Sequence, residues 1–228
     1  MILITKNKEP KEWTEYRNTP GVDYQAIPEL VQSLLKEQGY ICAYCMRRIP
    51  TKDKIYKKDG VNFVYTNEDH RVEHIKSREH DDLKLDYTNM VVCCPGHIGA
   101  QDHCDRLKGP KDISFSPIDK QFIETIRYSS NGEISSTNDV YNNEMKDVLN
   151  LNTELLRRNR FLMLTEVISQ INSTCKKGKN WDKRTLELFL KKYSEKHSEK
   201  DEEGTKGKYY PYCGIIIWYL QKKLRTLD

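Results

Sequence analysis

The sequence has no apolar run long enough to cross a bilayer. The longest, around Ile215 to Leu220, falls far short of the roughly 20 residues a spanning helix needs. It opens MILITKNKEP, without the apolar core and small-residue cleavage site of a secretory signal, so the expected compartment is the cytoplasm. A strong excess of one charge is also missing, and a formal net charge of +4 does not by itself announce a nucleic-acid partner. Nor is the cysteine count even. Seven cysteines, at positions 42, 45, 93, 94, 104, 175 and 213, argue against a disulfide framework and for metal ligation by a subset. No internal repeat is visible.

What is present is a chain of 228 residues, 37% hydrophobic and 32% charged. Its mean hydropathy of −0.80 describes a heavily charged surface over a lean core. That length accommodates one large domain or two small ones without disulfides. After an irregular opening segment, residues 26–37 place Ile27, Leu30, Val31, Leu34 and Leu35 at helical spacing, and Gly39 ends the helix. Val61, Phe63 and Tyr65 alternate like a strand within residues 61–75, and residues 83–94 return toward the second cysteine group. Residues 121–136 read as a β-hairpin turning at Asn131-Gly132. Helices follow over 140–149, over 153–171 with Asn152 as N-cap, over 182–193, and over 212–224 with Pro211 at the first turn. Residues 198–208 read as a solvated loop. The expectation is an α+β protein in two parts: residues 1–112, rich in cysteine and histidine, and residues 113–228, a hairpin followed by helices.

Cys42-Ala-Tyr-Cys45 has the spacing that lets two thiolates reach one tetrahedral zinc from a tight turn. Cys94 with either His97 or Cys104 supplies the other half. The first option has the tidier spacing and gives three cysteines and one histidine; the second needs a looped-out insertion and gives an all-cysteine site. Free cysteines are also common as small buried hydrophobes. Cys93, Cys175 and Cys213 are read that way, Cys93 pointing away from its neighbour on an extended segment. Between the halves lie Glu73-His74 and Asn89. Phosphodiester hydrolysis needs a base to activate water and a cation to stabilise the phosphorane and the leaving oxygen. Histidine suits the first task, with a partner such as Asn89 fixing its tautomer. Carboxylates such as Asp105 and Glu73 suit the second, as hard oxygen ligands for magnesium. His70, His80, His97, His103 and His197 are read as surface or capping residues. Positive charge gathers beside the cysteines, at Arg47, Arg48, Lys52, Lys54, Lys57 and Lys58, and again at Arg106, Lys108 and Lys111.

The order Cys-x-x-Cys, Glu-His, Asn five residues before a cysteine, then His103-Cys-Asp-Arg-Leu-Lys-Gly109 resembles the HNH endonucleases. Within them it is similar to the Septu-type, retron-associated effector nucleases of the PtuB type. The likeness runs from the opening Ile2-x-Ile4-x-Lys6 pattern through the central motif to Tyr212–Leu220. The resemblance implies a zinc-stapled ββα-metal unit embedded in a mainly helical protein, with Cys42, Cys45, Cys94 and Cys104 holding structural zinc, so that Cys104 rather than His97 is the fourth ligand. It implies His74 as general base, Asn89 orienting it, and Asp105, with Glu73, contacting a catalytic magnesium or manganese ion. Two departures stand out: Asp105 replaces the usual His or Asn, and Glu73 stands where Asp is often found. The implied activity is cleavage of nucleic acid, either DNA or an RNA such as tRNA, as the toxic effector of an anti-phage complex. The implied partners are an ABC-type ATPase (PtuA) and, in some systems, a reverse transcriptase with its retron msDNA. Residues 113–228 would carry the partner interface, and Tyr209, Tyr210, Tyr212, Trp218 and Tyr219 belong either to it or to the protein's own core. A stand-alone restriction-type HNH nuclease and a non-catalytic zinc module that binds nucleic acid are the competing readings.

Overall fold

Proline at a first helical position loses no hydrogen bond and arrives with a helical φ, and Pro28 opens α2 (Pro28–Glu37) in this way. The computed structural model describes all residues except 52–53, 59–60, 66–69, 98–100, 175–180, 201–203 and 228; for 54–58 and 61–65 it describes the backbone alone. Cys175, the side-chain alternation at 61–65, the lysines at 52, 54, 57 and 58, and the middle of the 198–208 loop therefore lie outside the described residues. One helix precedes α2. The expected irregular opening contains α1 (Lys11–Arg17), which buries Trp13 as its single apolar anchor. Two turns whose only aromatic side chains are Trp13 and Tyr16, stacked at 5.3 Å, are too short for a periodicity to read. Leu30, Leu34 and Leu35 of α2 are buried as their spacing requires, and Gly39 ends the helix at φ +58, where a Cβ would lie 2.4 Å from the Tyr209 ring.

The sheets are small and antiparallel: β1 (Lys54–Lys58) with β2 (Val61–Tyr65), and β3 (Arg71–His74) with β4 (Met90–Cys93). In the second pair Glu73 lies opposite Val91 and His74 opposite Met90. Every residue of β4 is buried, which explains its unbroken apolar run. A single helical turn, α3 (Asp105–Lys108), follows Cys104, whose φ of +54 swings the chain into it.

Beyond residue 112 the expected hairpin is half right. Asp119 caps Gln121 N–H at 2.8 Å and starts α4 (Lys120–Thr125), so the first stretch is helical. Phe122 turns inward to stack on Phe115 at 4.1 Å, a tertiary contact that overrides the local β preference. The hairpin proper is β5 (Ile126–Tyr128) with β6 (Ile134–Ser136), turning through Gly132 at φ +86, where a Cβ would lie 2.1 Å from the Arg157 carbonyl. Asn138 caps α5 (Asp139–Asp147). Asn152 does not cap α6 (Glu154–Thr174): its amide bonds both backbone groups of Ile134, at 3.0 and 2.8 Å, and Thr153 Oγ1 takes Leu156 N–H instead. Asp182 caps α7 (Lys183–Ser194). Pro211 precedes α8 (Cys213–Leu224) rather than lying in its first turn, and Tyr212 enters at φ +57.

The α+β expectation holds at the level of helices mixed with small antiparallel sheets. No described helix is long and apolar enough to cross a membrane. Backbone bonds cross residue 112 in several places: Tyr209 N–H to Gly39 O at 3.0 Å, Tyr212 N–H to Met46 O at 3.0 Å, and Cys104 N–H to Leu149 O at 2.9 Å. The helices thereby close over the cysteine-bearing segment.

Candidate metal centre and adjoining cleft

At Cys42–Cys45 the chain reverses on itself. Cys42 N–H donates to Arg47 O at 2.8 Å, Met46 N–H donates to Cys42 O at 3.0 Å, and Met46 takes φ +63. Ala43 N–H reaches Val92 O at 3.0 Å, which lays this turn against β4. Gln38 completes the join: Val92 N–H donates to its Oε1 at 2.6 Å, and its Nε2 donates to Ile41 O at 3.0 Å and Val92 O at 2.7 Å. Cys94 follows directly on β4 and Cys104 directly precedes α3.

Four sulfur atoms, those of Cys42, Cys45, Cys94 and Cys104, lie within 4.8 Å of one another, and all four residues are buried. Cys42 and Cys104 are 3.9 Å apart, Cys45 and Cys94 3.7 Å. Thiolates around a tetrahedral zinc, each at ~2.3 Å, stand about 3.8 Å apart, so the spacing fits the ion. The described cysteines form no disulfide. Burial pushes the Cys104 thiol well above its ordinary range, so its ionised form here calls for a cation beside it. His97 is not among them. Its Nδ1 bonds Asp102 Oδ1 at 2.7 Å on the exposed side, which resolves the two spacing options in favour of Cys104. His103, expected at the surface, is fully buried, with Nδ1 3.2 Å from Cys104 Sγ. Cys93 is buried outside the sulfur group.

Beside this centre a cleft of about 550 Å³ is lined by Arg71, Glu73, His74, Asp105, Arg106 and Lys108, among others. Its two walls, β3 and α3, each adjoin the sulfur group: β3 through its pairing with β4, which leads into Cys94, and α3 through Cys104. Glu73 is 3% exposed, and its Oε1 accepts from Lys108 Nζ at 2.8 Å and from the Tyr44 hydroxyl at 3.3 Å. Burial and the adjacent Asp105 carboxyl outweigh Lys108 and raise Glu73 to about 8. Asp105 Oδ2 lies 3.8 Å from Arg71 Nε. His74 Nε2 is 3.0 Å from Lys84 O. A carbonyl only accepts, so Nε2 carries the hydrogen and Nδ1 holds the lone pair. Burial lowers His74 to about 4, and the Tyr24 ring meets its imidazole edge-on at 4.6 Å.

Asn89 lies outside this cleft. Its Oδ1 accepts Lys76 N–H at 2.8 Å and its Nδ2 donates to Lys76 O and Leu83 O at 3.0 and 3.1 Å. These bonds brace the loop that carries the Lys84 carbonyl and do not reach the imidazole, contrary to the expectation that Asn89 orients His74 directly. Lys108 emerges as a site residue in its own right, 1% exposed and also bonding His74 O at 2.9 Å. Two periodicities point to the additional residues: Lys108 is one helical turn beyond Asp105, and Arg71 shares a strand face with Glu73. No protein-family model matches the chain, and none of the curated proteins matches it.

Proposed function

We propose that the chain is a divalent-metal-dependent endonuclease of the HNH kind, hydrolysing phosphodiester bonds in nucleic acid. The observation that carries this reading is the meeting of His74, Glu73 and Asp105 in one cleft beside Arg71 and Arg106. The four cysteines serve as a structural zinc site, since four protein sulfurs close a tetrahedron and leave no open position for chemistry.

In the cleft the chain's own groups divide the work. His74 is neutral at physiological pH, and its Nδ1 takes a proton from the attacking water. The water oxygen bonds to phosphorus as the bond to the leaving oxygen breaks. Arg71 and Arg106 hold the phosphate by charge. Lys108 fixes Glu73 Oε1, leaving Asp105 and, once Glu73 has given up the proton its raised value retains at neutral pH, the second Glu73 oxygen as the hard donors that would suit magnesium or manganese. Such an ion, when bound, stabilises the negative charge on the phosphorane and the leaving oxygen.

Replacing His74 with Ala tests the reading with magnesium and a panel of labelled DNA and RNA, tRNA included. Cleavage falls by about 10²–10⁴-fold while zinc content is kept; undiminished cleavage by a zinc-replete variant removes the mechanism. The resemblance to Septu-type, retron-associated effectors extends the proposal to an ABC-type ATPase and a reverse transcriptase with msDNA as partners in anti-phage defence. Co-purification from the native context checks this, and full activity of the isolated chain favours a stand-alone nuclease instead.

A further inference from the structure

A trough of about 980 Å³ runs between α4 and α8 and shares no lining residue with the cleft. We propose that it docks an acidic amphipathic helix of a partner protein. This inference stands apart from the nuclease reading and rests on shape and charge.

The shape comes from α8. Gly214, Ile217, Trp218, Gln221, Lys222 and Arg225 line the trough and recur at helical spacing along one face of the chain from Gly214 onward. That stripe is about 16 Å long, or three turns. At Gly214 the helix seats directly on the core beneath it, since a Cβ there would lie 2.8 Å from both Met46 Sδ and the Tyr128 hydroxyl. Ile123 of α4 faces the stripe, and Ile2 and Leu3 extend the apolar floor. Ile2, Ile123, Ile217 and Trp218 are only half-buried and Leu3 is 38% exposed, so the floor keeps apolar surface for a ligand to cover.

Charge identifies the occupant. Exposed cations stand on both rims, Lys120 and Arg127 on one and Lys222 and Arg225 on the other, against a single lining carboxylate, Glu124. Lys120 engages that carboxylate at 3.7 Å, and Lys222 rests over the Trp218 ring at 5.3 Å. A helix with an apolar stripe flanked by Asp or Glu satisfies floor and rims together, as in helix-in-groove recognition. A nucleic-acid strand fits less well. The floor is chiefly aliphatic, whereas strand binding relies on successive stacking rings; of the three lining rings Tyr128 is buried with its hydroxyl turned to the Met1 amine, Trp218 lies under Lys222, and Tyr209 is half-buried.

The test uses the full zinc-loaded chain and two labelled helical peptides about three turns long, both with a leucine stripe, one flanked by Glu and the other by Lys. Fluorescence anisotropy reads their binding to the parent chain, to the Lys222→Glu/Arg225→Glu variant and, from the opposite rim, to Arg127→Glu. The Glu-flanked peptide should bind the parent about tenfold or more tightly than the Lys-flanked one. The double variant should reverse that order, Arg127→Glu should weaken the Glu-flanked peptide, and a short single-stranded oligonucleotide should not compete. Equal binding of the two peptides, or none by the Glu-flanked one, overturns the proposal. Competition by the oligonucleotide that depends on Lys222 and Arg225 overturns it in favour of a nucleic-acid track. All three substituted residues are exposed, and unchanged zinc content and melting temperature show that the fold is intact.

Discussion

His74 joins burial to a fixed tautomer, and the two have separate consequences. Its ordinary value of about 6.5 falls to about 4 because burial penalises the charged ring. The folded protein thus favours the neutral form. That contribution to stability is complete above about pH 6.5 and is lost as the pH falls toward 4. Between pH 7 and 5 the melting temperature of the parent should fall more steeply than that of His74→Leu. The thiol centre titrates in both proteins and cancels in the comparison, so parallel curves would contradict the assigned burial effect. At this scale the sequence was legible wherever a residue's chemistry is set by its own type: Cys42, Cys45 and Cys94 could be named from order and spacing, whereas spacing left His97 and Cys104 as alternatives and only the family resemblance favoured Cys104. Tyr24 and the partners of Lys108 could not be placed, because each pairs with a segment far away in the chain, even though Lys108 stands one helical turn beyond Asp105. A lysine 1% exposed, bonding Glu73 and the His74 carbonyl, is visible only after β3 and α3 have met.

The elements around the cysteine turn depend on one side chain. Gln38, 3% exposed, uses both ends of its amide on Val92 and Ile41, and so clasps the end of α2, the turn and β4. Gln38→Ala leaves the buried Val92 N–H without its Gln38 partner, at about 1–3 kcal/mol, while Val92 O keeps Ala43 N–H. The expected result is a lower denaturant midpoint together with weaker zinc retention against a chromophoric chelator. Loss of stability with zinc retention unchanged would mean that the clasp does not shape the sulfur site. The same dependence on distant partners separates the elements that were readable from those that were not. The Asn131-Gly132 turn is local chemistry and was found. In the stretch before it, β-prone residues were misread as strand, because the Asp119 cap and the Phe115 stack on Phe122 decide for α4. Asn152 had the right residue type for a cap but is used to hold Ile134, and its neighbour Thr153 caps instead.

For the molecule as a whole, the sulfur centre lies at the seam between the cysteine-rich segment and the helices. Met46, one residue past Cys45, accepts from Tyr212 N–H; Cys104 N–H donates to Leu149 O. The guanidinium of Arg48 gathers the carbonyls of Gly39, Tyr40 and Tyr209. A composition change near residue 112 marks where cysteine and histidine become sparse, but composition does not report which hydrogen bonds cross it. The aromatic group at the last helix divides in the same way: Tyr212 is buried, while Tyr209, Tyr210, Trp218 and Tyr219 are half-buried, part core and part rim. If zinc fills the centre, it ties both sides of the seam, and its removal should be felt by helices that contribute no ligand. Chelation should therefore lower the melting temperature by about 10 °C or more, with far-ultraviolet dichroism, dominated by α6 to α8, and tryptophan fluorescence falling in one transition. Cys104→Ala should reproduce that loss without chelator. Helical signal that survives zinc removal with an unchanged midpoint would show that the helices fold independently of the seam, and that the four cysteines stabilise only their own turn.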